Sequence, residues 1–83
     1  MQSNNIDYDY VLYGTEGCHL CELAEALVIE FHLNVLHKDI CDDDTLAKQY
    51  GVSIPVLKQV KTDQEIAWPF TQVEIQELIR GVV

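Results

Sequence analysis

Near residue 18 the spacing of apolar residues changes from that of a strand to that of a helix, and this change limits the possible folds. Residues 10–13 (YVLY) form a short apolar run rich in β-forming residues, which predicts a buried strand. Farther along, apolar side chains recur at helical spacing, at Leu20, Leu23, Ala24, Leu27, Val28 and Phe31. Residues 34–40 (NVLHKDI) predict a second strand. Strand, helix and strand within about thirty residues predict a βαβ unit with parallel strands.

The remaining residues predict two more helices and two more strands. The acidic residues 42–44 supply the start of a short helix that runs through Tyr50 and is closed by Gly51. Residues 55–60 and 65–68 predict two strands joined by the polar turn KTDQ.

A last helix is predicted from the capping box Thr71 to Glu74, with Val73, Leu78 and Ile79 facing inward and Gly81 at its end. The predicted order is therefore β-α-β-α-β-β-α. This order describes an α/β fold with a four-stranded mixed sheet and three helices.

Length and composition limit the number of domains and the classes of partner. A chain of 83 residues closes one hydrophobic core, so we expect a single domain over residues 1–83 with residues 1–8 as a polar tail. The start MQSNNIDYDY lacks the features of a signal peptide, and no apolar run is long enough for a membrane helix. The formal net charge of −9 argues against nucleic acid and anionic membranes as partners. We expect a monomer in the cytoplasm, where thiols are kept mainly reduced.

Two cysteines, Cys18 and Cys21, lie three residues apart where the first strand gives way to the first helix. Unpaired amide groups and the helix dipole at this position favour a thiolate at Cys18 and lower the pKa of its thiol. Cys21 lies one turn further along the same side of the helix, within reach of Cys18. The pattern predicts a redox pair in which Cys18 attacks a disulfide and Cys21 resolves the mixed disulfide.

The segments YVLYGTEGCHLCELAEALV, VSIPVL and IAWPF resemble, in order and spacing, a small bacterial group of glutaredoxin-like proteins in the thioredoxin-fold superfamily. The resemblance spans about residues 10–80. It implies a minimal thioredoxin/glutaredoxin-like fold and thiol-disulfide oxidoreductase activity on a disulfide-containing protein or a small thiol. It also implies a cis peptide bond before Pro55, beside the cysteines. Such a bond would leave the N-H and C=O groups of Ile54 to pair with an extended substrate.

The sequence departs from typical glutaredoxins where these hold glutathione. Thr15 stands where they carry a lysine, and AWPFT replaces their Gly-Gly and aspartate. In addition Glu16, Glu22 and Glu25 lie close to Cys18, where carboxylates raise a thiol pKa and repel anionic glutathione. We therefore expect no bound cofactor, and glutathione is a hypothetical co-substrate only.

Several residues near the pair have two interpretations. His19 either stabilises the Cys18 thiolate as a nearby positive charge or is an exposed polar residue of the first turn. Cys41, the third cysteine, is expected to be a buried small hydrophobe, with a role as a third redox partner as the alternative.

Two other classes of function compete with redox exchange. Cys18 and Cys21 together with His37 and Cys41 would form a zinc ligand set, although a second closely spaced cysteine pair is lacking. Alternatively, the chain is an interaction domain that keeps the fold without turnover.

Overall fold

Residues 8–81 are described in the computed structural model, so all but Tyr8 of the predicted N-terminal tail lies outside the described residues. The elements within this part are β1 (Tyr10–Gly14), α1 (His19–Glu30), β2 (Val35–Asp39), a 3-10 helix (Ile40–Asp42), α2 (Asp44–Tyr50), β3 (Val56–Gln59), β4 (Glu65–Ala67) and α3 (Gln72–Arg80). The predicted order of three helices and four strands is confirmed, and the short 3-10 helix is an addition. None of the described helices combines the length and the apolar character that a membrane span requires.

The four strands form one mixed sheet in the order β2-β1-β3-β4. Strand β1 pairs in parallel with β2, as the βαβ unit predicts, and antiparallel with β3, where Tyr13 lies opposite Val56. Strand β4 pairs antiparallel with β3. These directions bring the segments after β1, β2 and β4, and the segment before β3, to the same end of the sheet.

The sheet is covered on both faces, which explains the nearly continuous apolar run in β1. Leu12 belongs to a core cluster that includes Ala24 and Val28 of α1 and Leu78 of α3. The next residue, Tyr13, points to the opposite face and belongs to a second cluster with Ile40, Tyr50 and Val56. The period-two alternation of a strand therefore divides one short segment between two cores.

The buried stripes of α1 and α3 are narrower than the sequence predicts. Leu20 and Leu23 are 43% and 44% exposed, because α1 buries a stripe centred on Ala24 and Val28. In α3 the prediction of inward Val73 and Ile79 is wrong. Their side chains are 58% and 39% exposed, whereas the helix is turned so that Ile75 and Leu78 are fully buried. The Thr71 to Glu74 capping box is present as predicted.

Two glycines end helices in different ways. Gly81 follows α3 with a φ of +78°, a left-handed conformation that suits glycine. Gly51 ends α2 in right-handed helical backbone, so positive φ is not the reason for glycine there. Instead, a Cβ at this position would collide with the carbonyl oxygen of Ala47.

Candidate active site

The loop between β1 and α1 positions the two cysteines at the end of the sheet. Gly17 has a φ of +76°, which allows the chain to turn into the helix. Cys18 is the N-cap residue of α1, with extended backbone angles. Its Sγ accepts a hydrogen bond of 3.1 Å from the backbone N-H of Cys21. A sulfur atom thus occupies the position that a serine or aspartate oxygen usually takes at a helix N-terminus.

Cys18 and Cys21 are joined by a disulfide, with their Cα atoms 5.2 Å apart. Both residues are half-buried. Gly14, the last residue of β1, lies directly behind this bond, since a Cβ built on it would come within 2.9 Å of Cys21 Sγ. The apolar pattern marks Gly14 only as the end of a strand, yet the absence of a side chain there makes room for the sulfur.

His19 extends into solvent from the first position of α1. Its side chain is 80% exposed, and its Nδ1 lies 4.0 Å from the Glu22 carboxylate. This geometry is that of an exposed residue of the first turn with a loose contact to an acidic neighbour.

Ile54 and Pro55 lie at the same end of the sheet, immediately before β3. The Ile54–Pro55 peptide bond is cis, and so is Trp68–Pro69. Pro55 is buried and Ile54 is half-buried. The Ile54 N-H donates a hydrogen bond of 3.1 Å to the carbonyl oxygen of Tyr50. A substrate strand could pair with this N-H only after that bond opens, whereas the expectation from sequence was that both backbone groups of Ile54 face the substrate.

Tyr50 anchors the segment before Pro55. Its ring stacks on Tyr13 with a centroid distance of 4.4 Å, and its hydroxyl donates a 2.8 Å hydrogen bond to Glu65. Burial, followed by the hydrogen bond to the Glu65 carboxylate, raises the pKa of the Tyr50 hydroxyl. Tyr50 therefore stays neutral and holds the loop to the sheet.

Cys41 is exposed, so the expectation that it is buried is wrong. It lies in the 3-10 helix after β2, at the same end of the sheet as the disulfide. Its Sγ is 3.3 Å from the hydroxyl oxygen of Thr15. The 3-10 helix buries Ile40 and thereby turns the next side chain outward, a feature that the apolar pattern did not reveal.

The four residues of the zinc alternative are not brought together as ligands. His37 Nε2 lies 3.0 Å from the Glu25 carboxylate, a pair between β2 and α1 that the sequence analysis missed. Cys41 contacts Thr15 instead of the cysteine pair. Among residues 8–81, no group of three or more His, Cys, Asp or Glu side chains could hold a metal ion.

A cavity of about 270 Å³ lies against the disulfide on the side of β2. It is bounded by both cysteines, by the loop after β1, by α1 and by β2. The residues that line it include Gly14, Thr15, Glu16, Cys18, Cys21, Glu22, Glu25, His37, Lys38 and Asp39. Sequence proximity indicated the glutamates near Cys18. The contributions of His37, Lys38 and Asp39 require the parallel pairing of β2 with β1, since Gly14 lies opposite Asp39.

The glutaredoxin-like domain family (DUF836) matches residues 10–80, nearly the whole chain. This chain belongs to that family. No curated protein sequence matches the chain.

Solved structures resemble this glutaredoxin-like domain over most of their length. The X-ray structure of the target protein XcR50 from X. campestris is 27% identical, with a TM-score of 0.79, and the match covers 87% of this chain and 96% of that one. The solution structure of protein Ne2328 from Nitrosomonas europaea is 28% identical, with a TM-score of 0.65 and coverage of 94% and 98%. The crystal structure of the glutaredoxin (grx-1) from Archaeoglobus fulgidus is 17% identical, with a TM-score of 0.66 and coverage of 90% of this chain and 89% of that one. At this identity the likeness supports the fold alone. The resemblance to glutaredoxin-like proteins and the thioredoxin-like fold are thus confirmed.

Proposed function

We propose that this glutaredoxin-like domain is a thiol-disulfide oxidoreductase that uses Cys18 as the attacking residue and Cys21 as the resolving residue. The observation that carries the proposal is the position of the Cys18 sulfur. It caps α1, accepts the Cys21 N-H, and lies within disulfide distance of the second sulfur. The Cys21 N-H and the helix dipole at this cap would favour a thiolate over a thiol at Cys18 in the reduced protein.

The reaction begins with the reduced dithiol. The Cys18 thiolate attacks one sulfur of the substrate disulfide, that S-S bond breaks, and the second substrate sulfur leaves as a thiolate that takes up a proton. The Cys21 thiol then loses its proton and attacks Cys18 Sγ. This step forms the Cys18–Cys21 bond and releases the first substrate sulfur as a thiol. The substrate gains two electrons and the protein loses two.

Return to the dithiol requires an external thiol, and glutathione is one candidate for this step. We assign substrate binding to the Ile54–Pro55 segment, where the Ile54 carbonyl would receive an N-H of an extended substrate. The expected substrate is a disulfide-containing protein or a small thiol compound. We expect the protein to carry out this reaction as a monomer in the cytoplasm.

The test is reduction of hydroxyethyl disulfide by the reduced protein, with and without glutathione as the recycling thiol. The wild type is expected to lose two thiols for each disulfide that it reduces. Cys18→Ser is expected to be inactive. In the assay without glutathione, Cys21→Ser is expected to stop as a mixed disulfide on Cys18, which intact mass measures directly.

Cys41→Ser is the matched control, because this exposed cysteine contacts Thr15 and not the disulfide. Its activity is expected to equal that of the wild type. Equal rates of reduction for Cys18→Ser and the wild type would refute the role of Cys18. No reduction by the wild type would refute the proposal as a whole and favour an interaction domain without turnover.

A further inference from the structure

The cavity beside the disulfide contains a surplus of negative charge. Four acidic residues, Glu16, Glu22, Glu25 and Asp39, are among the residues that line it, together with one lysine, Lys38. The charge matters because Cys18 and Cys21 line the same cavity. A group attached to the sulfur that reacts with Cys18 would therefore share the cavity with these acidic residues.

The four acidic residues differ in the contacts that their carboxylates already make within the protein. Glu25 contacts His37 at 3.0 Å, and Asp39 accepts the backbone N-H of Cys41 at 2.8 Å. Glu16 is exposed, and Glu22 is 72% exposed with only a 4.0 Å contact to His19. Glu16 and Glu22 are thus the carboxylates best placed to meet an incoming positive charge.

We propose that this cavity selects disulfides that carry a positively charged group beside the reacting sulfur, with Glu16 and Glu22 as specificity-determining residues. The inference rests on the proposed oxidoreductase function. Ammonium and guanidinium groups both fit the chemistry, so the substrate is either a polypeptide with Lys or Arg next to its cysteine or a small amine disulfide. A cleft lined by charges of one sign focuses the electric field. It raises the local concentration of an oppositely charged substrate and thereby the association rate. The same field disfavours anionic disulfides.

The test compares three small disulfides that differ mainly in charge: cystamine (cationic), hydroxyethyl disulfide (neutral) and dithiodipropionate (anionic). The second-order rate of reduction by the dithiol form is measured for each. Each rate is divided by the rate at which dithiothreitol reduces the same compound, which removes intrinsic reactivity. The wild type is expected to prefer cystamine over the neutral compound by about tenfold at low salt. This preference is expected to shrink strongly at 1 M salt, where the Debye length is about 3 Å.

The double variant Glu16→Gln, Glu22→Gln isolates the carboxylates. Each exposed charge pair is worth roughly 1.4- to 5-fold, so removal of two such pairs corresponds to roughly 2- to 25-fold. The tenfold preference is therefore expected to fall at least about twofold and at most to no preference. Removing the carboxylates also alters the thiolate content of Cys18, but that change affects all three compounds equally and cancels in the ratio. Glu77→Gln, an exposed position on α3, is the matched control and is expected to retain the wild-type preference.

Peptide disulfides with Lys or Gln beside the cysteine distinguish the two sources of the charge. A preference for the Lys peptide larger than that for cystamine assigns the site to polypeptides, and the reverse order assigns it to small amines. Reduction of all three small disulfides with equal normalised rates would overturn this inference and leave the oxidoreductase proposal standing. No reduction of any of the three compounds would overturn the oxidoreductase proposal, and this inference with it.

Discussion

Gly14→Ala is expected to change the redox potential of the cysteine pair without touching either cysteine. A Cβ at Gly14 would lie 2.9 Å from Cys21 Sγ, whereas non-bonded carbon atoms prefer about 3.5–4.0 Å and sulfur is larger than carbon. One of the two groups must therefore move by roughly 0.6–1 Å. Overpacking of this kind costs about 1–3 kcal/mol.

The cost falls mainly on the oxidised form. In the disulfide, Cys21 Sγ is held by its bond to Cys18, so the sulfur cannot turn away from the new methyl group. In the reduced form the Cys21 side chain is free to adopt another staggered rotamer. Destabilising the oxidised form by about 1–3 kcal/mol makes the potential more positive by about 20–65 mV.

The assay equilibrates the protein in buffers of oxidised and reduced dithiothreitol, blocks free thiols by alkylation and measures the two forms by mass. Gly81→Ala is the control, since it lies at a φ of +78° and has nothing within 4 Å of an added Cβ. It should lower the melting temperature with no change in potential. A shift for Gly14→Ala below about 10 mV, equivalent to roughly 0.5 kcal/mol, would contradict a clash confined to the oxidised form.

Two further predictions concern helix ends. His32 follows α1 with a φ of +55°, which is costly for a residue other than glycine. His32→Gly is therefore expected to stabilise the fold by about 0.5–1 kcal/mol and to raise the melting temperature by roughly 2–8 °C. A lower melting temperature would contradict this prediction. Hydrogen bonds from the Thr71 side chain and backbone lower the pKa of Glu74 in the folded protein. The ionised Glu74 carboxylate therefore stabilises the fold fully above its unfolded pKa near 4.5, and this stabilisation is lost as the pH falls through the lower folded pKa. Thermal melts between pH 7 and 3 should show a smaller acid-induced loss for Glu74→Gln than for the wild type, and equal curves for the two proteins would speak against the capping role.

Local signals in the sequence predicted the element order and the placement of Cys18 and Cys21 at the start of α1. The change from strand to helix period around Cys18, the Thr71 to Glu74 capping box and the turn before β4 all depend on neighbours within a few residues. The spacing of Cys18 and Cys21 likewise fixes their reach, because one helical turn brings residues i and i+3 together. These features were predictable since backbone geometry alone decides them.

Tertiary structure decided which side chains are buried and which groups meet. The burial of Ile75 in place of Val73 depends on how α3 is turned against the sheet, and the exposure of Cys41 depends on the 3-10 helix after β2. Three other features join segments that are distant in sequence or lie on different elements. They are the contact of His37 with Glu25, the room that Gly14 leaves for Cys21 Sγ, and the charged cavity. Packing of helices on a sheet selects these contacts by shape, and a one-dimensional pattern of apolar and polar residues does not contain that information.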